Sequence, residues 1–406
     1  MSSEEEVQNE LKDGLLKETQ ERKDQHDEFN GASFTEGVLK LATTIIGAGI
    51  MALPATMKIL GLVPGIVMIV LMAFLTDKTI ELLLRFSGIG KARSYGGLMQ
   101  DSFGTPGRIA LQVAALFTNI GVLIVYMIII GDVLEDMLDG WLGKSWWDKR
   151  AIVLLVISLC LIAPLTAFKR IDALRVTSAI SLGLAVVFLV FTAGIVVTKF
   201  CFRVHDIQNE LGDATQIKPV VRSALFISSS VYIMTSLFGY LLFGDSTLAD
   251  VLKNFHHDLK IPYGPVLGGA VRLSYAAHLL LVYPIIFYPL RANIDGLLFP
   301  TAPSLTTSNL RFASITAGLI ALIFVGANFI PSIWDAFQLT GATASVCIGF
   351  IFPAAVILKN RHNRTTKMDK TIAIFVIVLA VFSNAIALYC DVYALLVKKK
   401  RSTFPM

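Results

Sequence analysis

The feature that most constrains this chain is a glycine-interrupted segment, Thr43 to Pro54, in the middle of its first membrane-length apolar run. Gly47 and Gly49 weaken a helix at the depth where lipid requires unbroken intrahelical hydrogen bonds. Backbone of this kind has to face protein or a water-filled cavity, where it can bind a solute. The positive end of the half-helix that follows favours a carboxylate, and the freed carbonyl groups favour a small cation.

The composition predicts a polytopic membrane protein. Of 406 residues, 55 % are hydrophobic and 16 % are charged, and the mean hydropathy is +0.68, far from a soluble mixture. A helix needs about 20 apolar residues to cross about 30 Å of hydrocarbon, and ten runs of roughly that length are present. The predicted fold class is therefore all-α, a membrane helix bundle. The ten predicted spans are 34–58, 62–84, 109–131, 151–166, 176–198, 219–243, 265–290, 311–330, 334–358 and 371–397.

Both ends differ in composition from the membrane region, 34–397. Residues 1–30 hold ten Asp or Glu and four Lys or Arg, so 1–33 are predicted to form a disordered acidic tail. Residues 398–406 are predicted to be a basic C-terminal tail. No short apolar core with a small-residue cleavage site precedes the first span, and that span is expected to direct insertion.

Motifs for other chemistry are missing from the sequence. The four cysteines have no CxxC spacing and the histidines have no HExxH spacing, so no metal site is predicted. No GxSxG or GxxxxGK[ST] motif is present, which argues against an enzyme or an ATP-driven pump. Basic residues do not alternate with aromatic ones in a stripe, so no nucleic-acid partner is expected.

Five segments stand in an order and spacing that are specific at the level of a protein family. They are Gly47-Ala48-Gly49-Ile50-Met51-Ala52-Leu53-Pro54, Asn209-Glu210-Leu211 through Gln216-Ile217-Lys218-Pro219, Leu237-Phe238-Gly239-Tyr240-Leu241-Leu242-Phe243-Gly244, Tyr283-Pro284-Ile285-Ile286-Phe287-Tyr288-Pro289-Leu290-Arg291, and Gly341-Ala342-Thr343 to Phe350-Ile351-Phe352-Pro353-Ala354. In these segments the chain resembles the amino acid/auxin permease family, particularly its plant vacuolar branch and the related sodium-coupled neutral amino acid transporters. The resemblance spans nearly everything after residue 33.

This resemblance implies two inverted five-helix repeats plus an eleventh helix, with an amino acid site between the broken first and sixth helices. The chain departs from that pattern in one place. Family members carry a complete sixth span before the stretch that resembles 204–211, whereas in this chain the fifth span runs into that stretch within a few residues. The charged residues between Lys199 and Pro219 leave no apolar run of about 18 residues. Ten spans are therefore predicted where the family has eleven.

Two orientations of the later spans stay open. The family's orientation places the loops 199–222, 291–311 and 359–370 in the cytosol, and this agrees better with the positive-inside rule than simple alternation of ten spans does. In the alternative, ten spans form two inverted fives and 219–243 serves as the second broken helix. The sequon at Asn363 is cytosolic in the first case and exofacial in the second.

The resemblance and the broken backbone together indicate the substrate site. Gly47, Ala48 and Gly49 are predicted to bind the carboxylate and amine of the substrate, and Thr43 and Thr44 to offer hydroxyls to the substrate or to a coupled ion. Close helix packing is the alternative explanation for such small residues. Sodium-coupled relatives carry asparagine where this chain has Thr43, so proton coupling or facilitated exchange is as plausible as sodium coupling.

Four polar residues in later spans complete the predicted site. Asn119 and Thr340 are candidates for substrate contact, with helix-to-helix hydrogen bonding or close packing as the alternatives. Ser274 and His278 are four residues apart and share one helix face. A titrating imidazole at that depth would couple transport to protons, whereas a neutral histidine bonded to a neighbouring helix would be structural.

The sequence thus predicts a multi-pass protein of a vacuolar or plasma membrane, in contact with lipid, that moves neutral or polar amino acids by alternating access. Coupled H⁺ or Na⁺ is expected, and no other cofactor. The loss of one span would remove about half of the wall of the site, so a second class of function stays open. In that class the chain is a transport-incompetent isoform that binds or regulates other membrane proteins.

Overall fold

The fold, seen in a computed structural model, consists of helices joined by short connections, with no strand among the residues described. The residues described are 38, 42, 45–87, 95–142, 150–167, 181, 184, 217–256, 263–300, 302–303, 305–330, 333, 336–337, 341–359 and 365–403. The predicted tail 1–33, most of the predicted fifth span and the sequon at Asn363 lie outside them.

Ten α-helices alternate with short 3-10 and π turns in this part of the chain. A 3-10 turn, Ala48–Ala52, leads into α1, α4 contains a π turn at Ser158–Ile162, and π turns at Gly341–Ser345 and Cys347–Ile351 precede α9. The helices are α1 Leu53–Leu60, α2 Leu62–Ser87, α3 Tyr95–Leu142, α4 Arg150–Thr166, α5 Ile217–Phe243, α6 Val251–Asn254, α7 Gly264–Leu298, α8 Asn309–Phe329, α9 Phe352–Lys359 and α10 Lys367–Thr403.

Nine of the ten predicted spans overlap these helices, and the fifth, 176–198, lies almost wholly outside the described residues. Parts of α3, α5, α7, α8 and α10 are each long and apolar enough to cross a bilayer, and shorter apolar helices cover 49–60, 150–166 and 343–359. Several bounds differ from the prediction. The helix predicted at 109–131 begins at Tyr95, because Gly104 (φ +70°) and Pro106 kink a preceding helix into it without ending it. The last helix continues to Thr403, so most of the basic tail extends α10.

The alternative in which 219–243 is a second broken helix is wrong. Helix α5 runs without interruption from Ile217 to Phe243, since Gly239 does not open the backbone. The glycine instead lets α5 approach α1. A β-carbon at Gly239 would lie 2.7 Å from the ring of Pro54.

The core lies where α7 packs along α3. Apolar residues 123–130 of α3 and the inner face of α7 are buried together, and α4 and α8 complete this cluster. A second apolar cluster joins α2, the start of α3, α9 and α10. By contrast α2 leaves large apolar side chains such as Val67 and Phe74 exposed, as a lipid-facing helix does.

Several charged residues of the bundle form pairs. Lys78 pairs with Glu81 at 3.0 Å, and Arg272 of α7 pairs with Asp136 of α3. Asp132 of α3 lies between two cations, Lys253 at 3.0 Å and Arg150 at 3.4 Å. The pairs made by Asp132 and Asp136 connect α3 to α4, α6 and α7 at one end of the bundle.

Replacement of Gly239 by alanine should destabilise the fold, because the new methyl group would overlap a proline ring that cannot move aside. We expect a loss of about 1 to 3 kcal/mol, measured as a lower thermal unfolding midpoint in detergent. Gly318→Ala in α8 is the matched control, because a β-carbon there meets nothing within 4 Å. Equal midpoints for the two variants would contradict the close approach of α1 and α5.

Burial raises the pKa of the Asp250 carboxyl group from 3.8 to about 6. The hydrogen bond from the Leu252 amide and the charge of Lys253 act against this shift. The folded protein then holds this proton more tightly than the unfolded chain, so the stability from Asp250 falls as the pH rises through 3.8 to about 6. Asp250→Asn stays neutral and can still cap α6. It should therefore raise the unfolding midpoint at about pH 7.5 and leave it nearly unchanged at about pH 4.

The exposed Asp245 in the same connection provides the control, and Asp245→Asn should change neither midpoint. A pH-independent effect of Asp250→Asn would show that the carboxyl group of Asp250 does not titrate in this range.

Candidate functional site

The predicted break in the first span is present, and it centres on Gly47. The chain is helical around Ile45, becomes extended at Gly47 (φ −111°, ψ −166°) and resumes as the 3-10 turn Ala48–Ala52. The Gly47 amide donates to the Ile45 carbonyl at 2.8 Å, and the first bond of the new turn runs from Ile50 to Gly47 at 3.2 Å. The α-helical hydrogen-bond ladder is interrupted at this point.

Side chains from two other helices bind the three successive carbonyl groups at the break. The Tyr232 hydroxyl of α5 donates to the Ile45 carbonyl, and the Tyr275 hydroxyl of α7 donates to the Gly47 carbonyl at 2.9 Å. Between them, Nε2 of His278 lies 2.9 Å from the Ile46 carbonyl oxygen. These contacts offset the free energy that unpaired carbonyl groups would cost in the membrane.

The amide groups on the other side of the break lie at the start of the new turn. Ile50 makes the first intrahelical bond, so the amides of Ala48 and Gly49 precede it at the positive end of the turn. The surroundings of the two glycines differ. A β-carbon at Gly49 would meet nothing within 4 Å, whereas one at Gly47 would lie 2.6 Å from the Tyr126 hydroxyl. The open side of the break is therefore at Gly49, which is exposed.

The other predicted residues are placed as follows. His278 reaches the break, whereas the Ser274 hydroxyl one turn away donates to Val271 of its own helix at 2.9 Å. Asn119 lines a different cavity of about 550 Å³, between the first half of α3 and the last part of α7. Thr43, Thr44 and Thr340 lie outside the described residues, as does the side chain of Ala48. The helix after Thr340 is irregular, with two π turns.

Sequence reasoning missed three tyrosines, Tyr126, Tyr232 and Tyr275. Each lies in an apolar helix, where an aromatic residue is usually explained by packing alone. The signal that could have found them is the phenol hydroxyl, which needs a hydrogen-bond partner inside a membrane.

A second, apolar cavity of about 400 Å³ lies beside the break, between α1, α2 and α5. Its lining includes Ile45, Met57, Met72 and Tyr232. Ser228 also lines it, and among the described atoms the buried Ser228 hydroxyl finds no hydrogen-bond partner.

Comparison with known proteins gives one consistent family. The chain matches the family described as transmembrane amino acid transporter protein over residues 30–218 and 192–393. It is 64 % identical to amino acid transporter AVT6B of Arabidopsis thaliana, over 97 % of this chain and 96 % of that protein. It is 62 % identical to amino acid transporter AVT6A (92 % and 91 % covered) and 37 % identical to AVT6C (91 % and 95 % covered) of the same plant.

The alignment with AVT6B also shows that part of that relative has no counterpart in this chain. The alignment with AVT6B has 440 positions, and 97 % of this 406-residue chain fills about 394 of them, so about 46 positions of the alignment have no counterpart in this chain. The two ranges matched by the family meet between residues 192 and 218. That interval contains the place where the sequence predicts the loss of a span.

The geometry at the two glycines predicts different effects of alanine. Gly47→Ala should cost about 1 to 3 kcal/mol, because Tyr126 is fully buried and cannot withdraw its hydroxyl. Gly49→Ala should change stability by no more than about 0.5 kcal/mol. Thermal unfolding in detergent would measure both, and the double variant Gly47→Ala with Tyr126→Phe should recover most of the loss. A failure of that rescue would contradict the contact.

Proposed function

The chain belongs to the family of transmembrane amino acid transporters, a multi-pass class of integral membrane proteins, and from this premise we propose that it moves neutral or polar amino acids by alternating access. The observation that carries the proposal is the break at Gly47. Its carbonyl groups face protein side chains, whereas the amides of Ala48 and Gly49 start the turn that follows, and Gly49 is exposed. Such a site suits the carboxylate that all amino acids share.

The preference for neutral and polar substrates rests on the side chains at the break. Those described are the phenols of Tyr126, Tyr232 and Tyr275 and the imidazole of His278. None of these four carries a carboxylate that would pair with a cationic substrate side chain, and both ring nitrogens of His278 already lie against carbonyl oxygens, so the ring does not reach an anionic one. A charged substrate side chain would therefore have to give up water without an ionic partner, which is costly at this depth.

Alternating access is supported by the way the break is held. Tyr232 belongs to α5, and Tyr275 and His278 belong to α7, so both helices contact the same three residues. Movement of one helix relative to the other would change the contacts of the broken segment and thereby open or close the amides of Ala48 and Gly49. We propose a vacuolar or plasma membrane as the location, as the resemblance to the family implies.

The sequence interval that is missing from this chain favours a second candidate function, that of a non-transporting protein that binds other membrane proteins. About 46 alignment positions of AVT6B are without counterpart in this chain. The apolar cavity beside the break, with the unpartnered Ser228 hydroxyl in its wall, would suit a helix from another chain. Small and hydroxylated residues often line such helix contacts.

Uptake into proteoliposomes tests the proposal. The purified chain should exchange labelled alanine or glutamine across the bilayer faster than protein-free vesicles, and unlabelled aspartate or lysine should compete poorly. Gly49→Ala should lower this exchange at least tenfold, because the methyl group enters the space in front of the amides at the break. Gly318→Ala is the control with matched chemistry, and its exchange should equal that of the wild type.

Exchange no faster than in empty vesicles would favour the non-transporting function. Strong competition by aspartate or lysine would overturn the preference for neutral and polar substrates but not transport itself.

A further inference from the structure

His278 occupies an unusual position, with both ring nitrogens close to carbonyl oxygens. It is fully buried in α7. Nε2 lies 2.9 Å from the Ile46 carbonyl oxygen at the break. On the other side of the ring, Nδ1 lies 2.7 Å from the carbonyl oxygen of Ser181 and 2.8 Å from its hydroxyl oxygen.

A neutral imidazole cannot satisfy both carbonyl groups, because it has one N–H and one lone pair. With the proton on Nε2, Nδ1 can accept a hydrogen bond from the Ser181 hydroxyl. The Ser181 carbonyl oxygen then faces the lone pair of Nδ1 and receives no hydrogen bond from the ring. With the proton on Nδ1, the Ile46 carbonyl faces a lone pair and has no donor from the ring. Only the doubly protonated ring donates to both carbonyl oxygens at once.

The groups that face the ring allow this charge to depend on the substrate. The phenols of Tyr126 on α3, Tyr232 on α5 and Tyr275 on α7 lie at the break, and the Tyr275 ring lies 5.4 Å from the imidazole. The carboxyl group of Asp250, at the start of α6, interacts electrostatically with Tyr275. No hydrogen bond or ion pair joins His278 to a carboxylate within the described part of the chain. The amides of Ala48 and Gly49 are within three residues of Ile46, so a substrate carboxylate bound there would bring a further negative charge close to the ring.

We propose that His278 is the proton-coupling residue of this transporter, and that its protonated ring holds the Ile46 carbonyl in the place where a coupled cation would otherwise bind. This inference rests on the proposed function. A buried imidazolium is costly without a counter-charge, and a substrate carboxylate at the neighbouring amides supplies one. Proton and amino acid then favour each other's binding, and by linkage the effect is equal in both directions.

The transfer is balanced in protons. The ring takes one proton from water on the side where the substrate enters and releases it to water on the opposite side when the substrate leaves. No covalent bond to the substrate forms. The same geometry argues against sodium at this position, because the three carbonyl groups that the break would offer to a cation already face Tyr232, His278 and Tyr275.

Gradient-driven uptake tests the inference. In sodium-free vesicles, an inward proton gradient should drive the wild type to accumulate labelled alanine above equilibrium, and a protonophore should abolish the accumulation. His278→Gln can still donate to one carbonyl group but cannot bind a transferable proton. It should exchange alanine yet fail to accumulate it. His256→Gln, a histidine near the end of the bundle, should accumulate alanine as the wild type does.

Affinity against pH gives a second measurement. In the wild type the apparent affinity for alanine should fall by up to about tenfold per pH unit above the midpoint of the profile, and His278→Gln should show no such slope. Ser181→Ala removes the hydroxyl group that can donate a hydrogen bond to the neutral ring, and it keeps the backbone carbonyl group. It should therefore move the midpoint to higher pH, a change that serves as the test if His278→Gln fails to fold.

Two results would overturn the inference. One is accumulation by His278→Gln equal to that of the wild type, and the other is accumulation driven by a sodium gradient without a proton gradient. A wild type that exchanges no alanine at all would instead overturn the proposed function.

Discussion

The structure depends on one constraint, that a helix interrupted inside a membrane must find hydrogen-bond partners for the groups it frees. At Gly47 the carbonyl side of this requirement is met by protein, through Tyr232, His278 and Tyr275. The amides of Ala48 and Gly49 are at the positive end of the turn that follows. The proposed carboxylate site rests on this difference between the two sides of the break more than on the presence of glycine.

The same contacts connect the break to the rest of the bundle. Helix α7 contributes two of the three side chains that face these carbonyl groups and also packs along α3, whose Tyr126 hydroxyl limits the space at Gly47. Helix α5 contributes the third side chain and approaches α1 at Gly239. The two half-helices of the first span thus contact three different helices within a few residues. A change in the position of any one of them must alter the hydrogen bonding of the break, which is the structural requirement for coupling helix movement to substrate binding.

Much of the fold could be predicted from sequence because membrane spans are defined by local composition, and the break could be predicted because glycine weakens a helix wherever it lies. The partners of the break could not. Ile46 and His278 are 232 positions apart, and nothing local to either residue indicates the other. The tyrosines resemble core residues until their hydroxyls are considered. Asn119 has a polarity that fits the site, yet it lines another cavity, because a position along a helix does not specify which neighbour that helix faces.

The missing interval changes how the site can work without removing what holds the break. All three side chains that face the carbonyl groups come from α5 and α7, which lie after the interval, and the broken segment itself lies before it. The amides of Ala48 and Gly49 are fixed by backbone geometry alone. Under the proposed function, the chain therefore keeps the segment that would bind the carboxylate group common to amino acids. In that transporter the missing interval would contribute wall around the rest of the substrate, so its loss should relax selectivity between side chains before it abolishes recognition of the carboxylate.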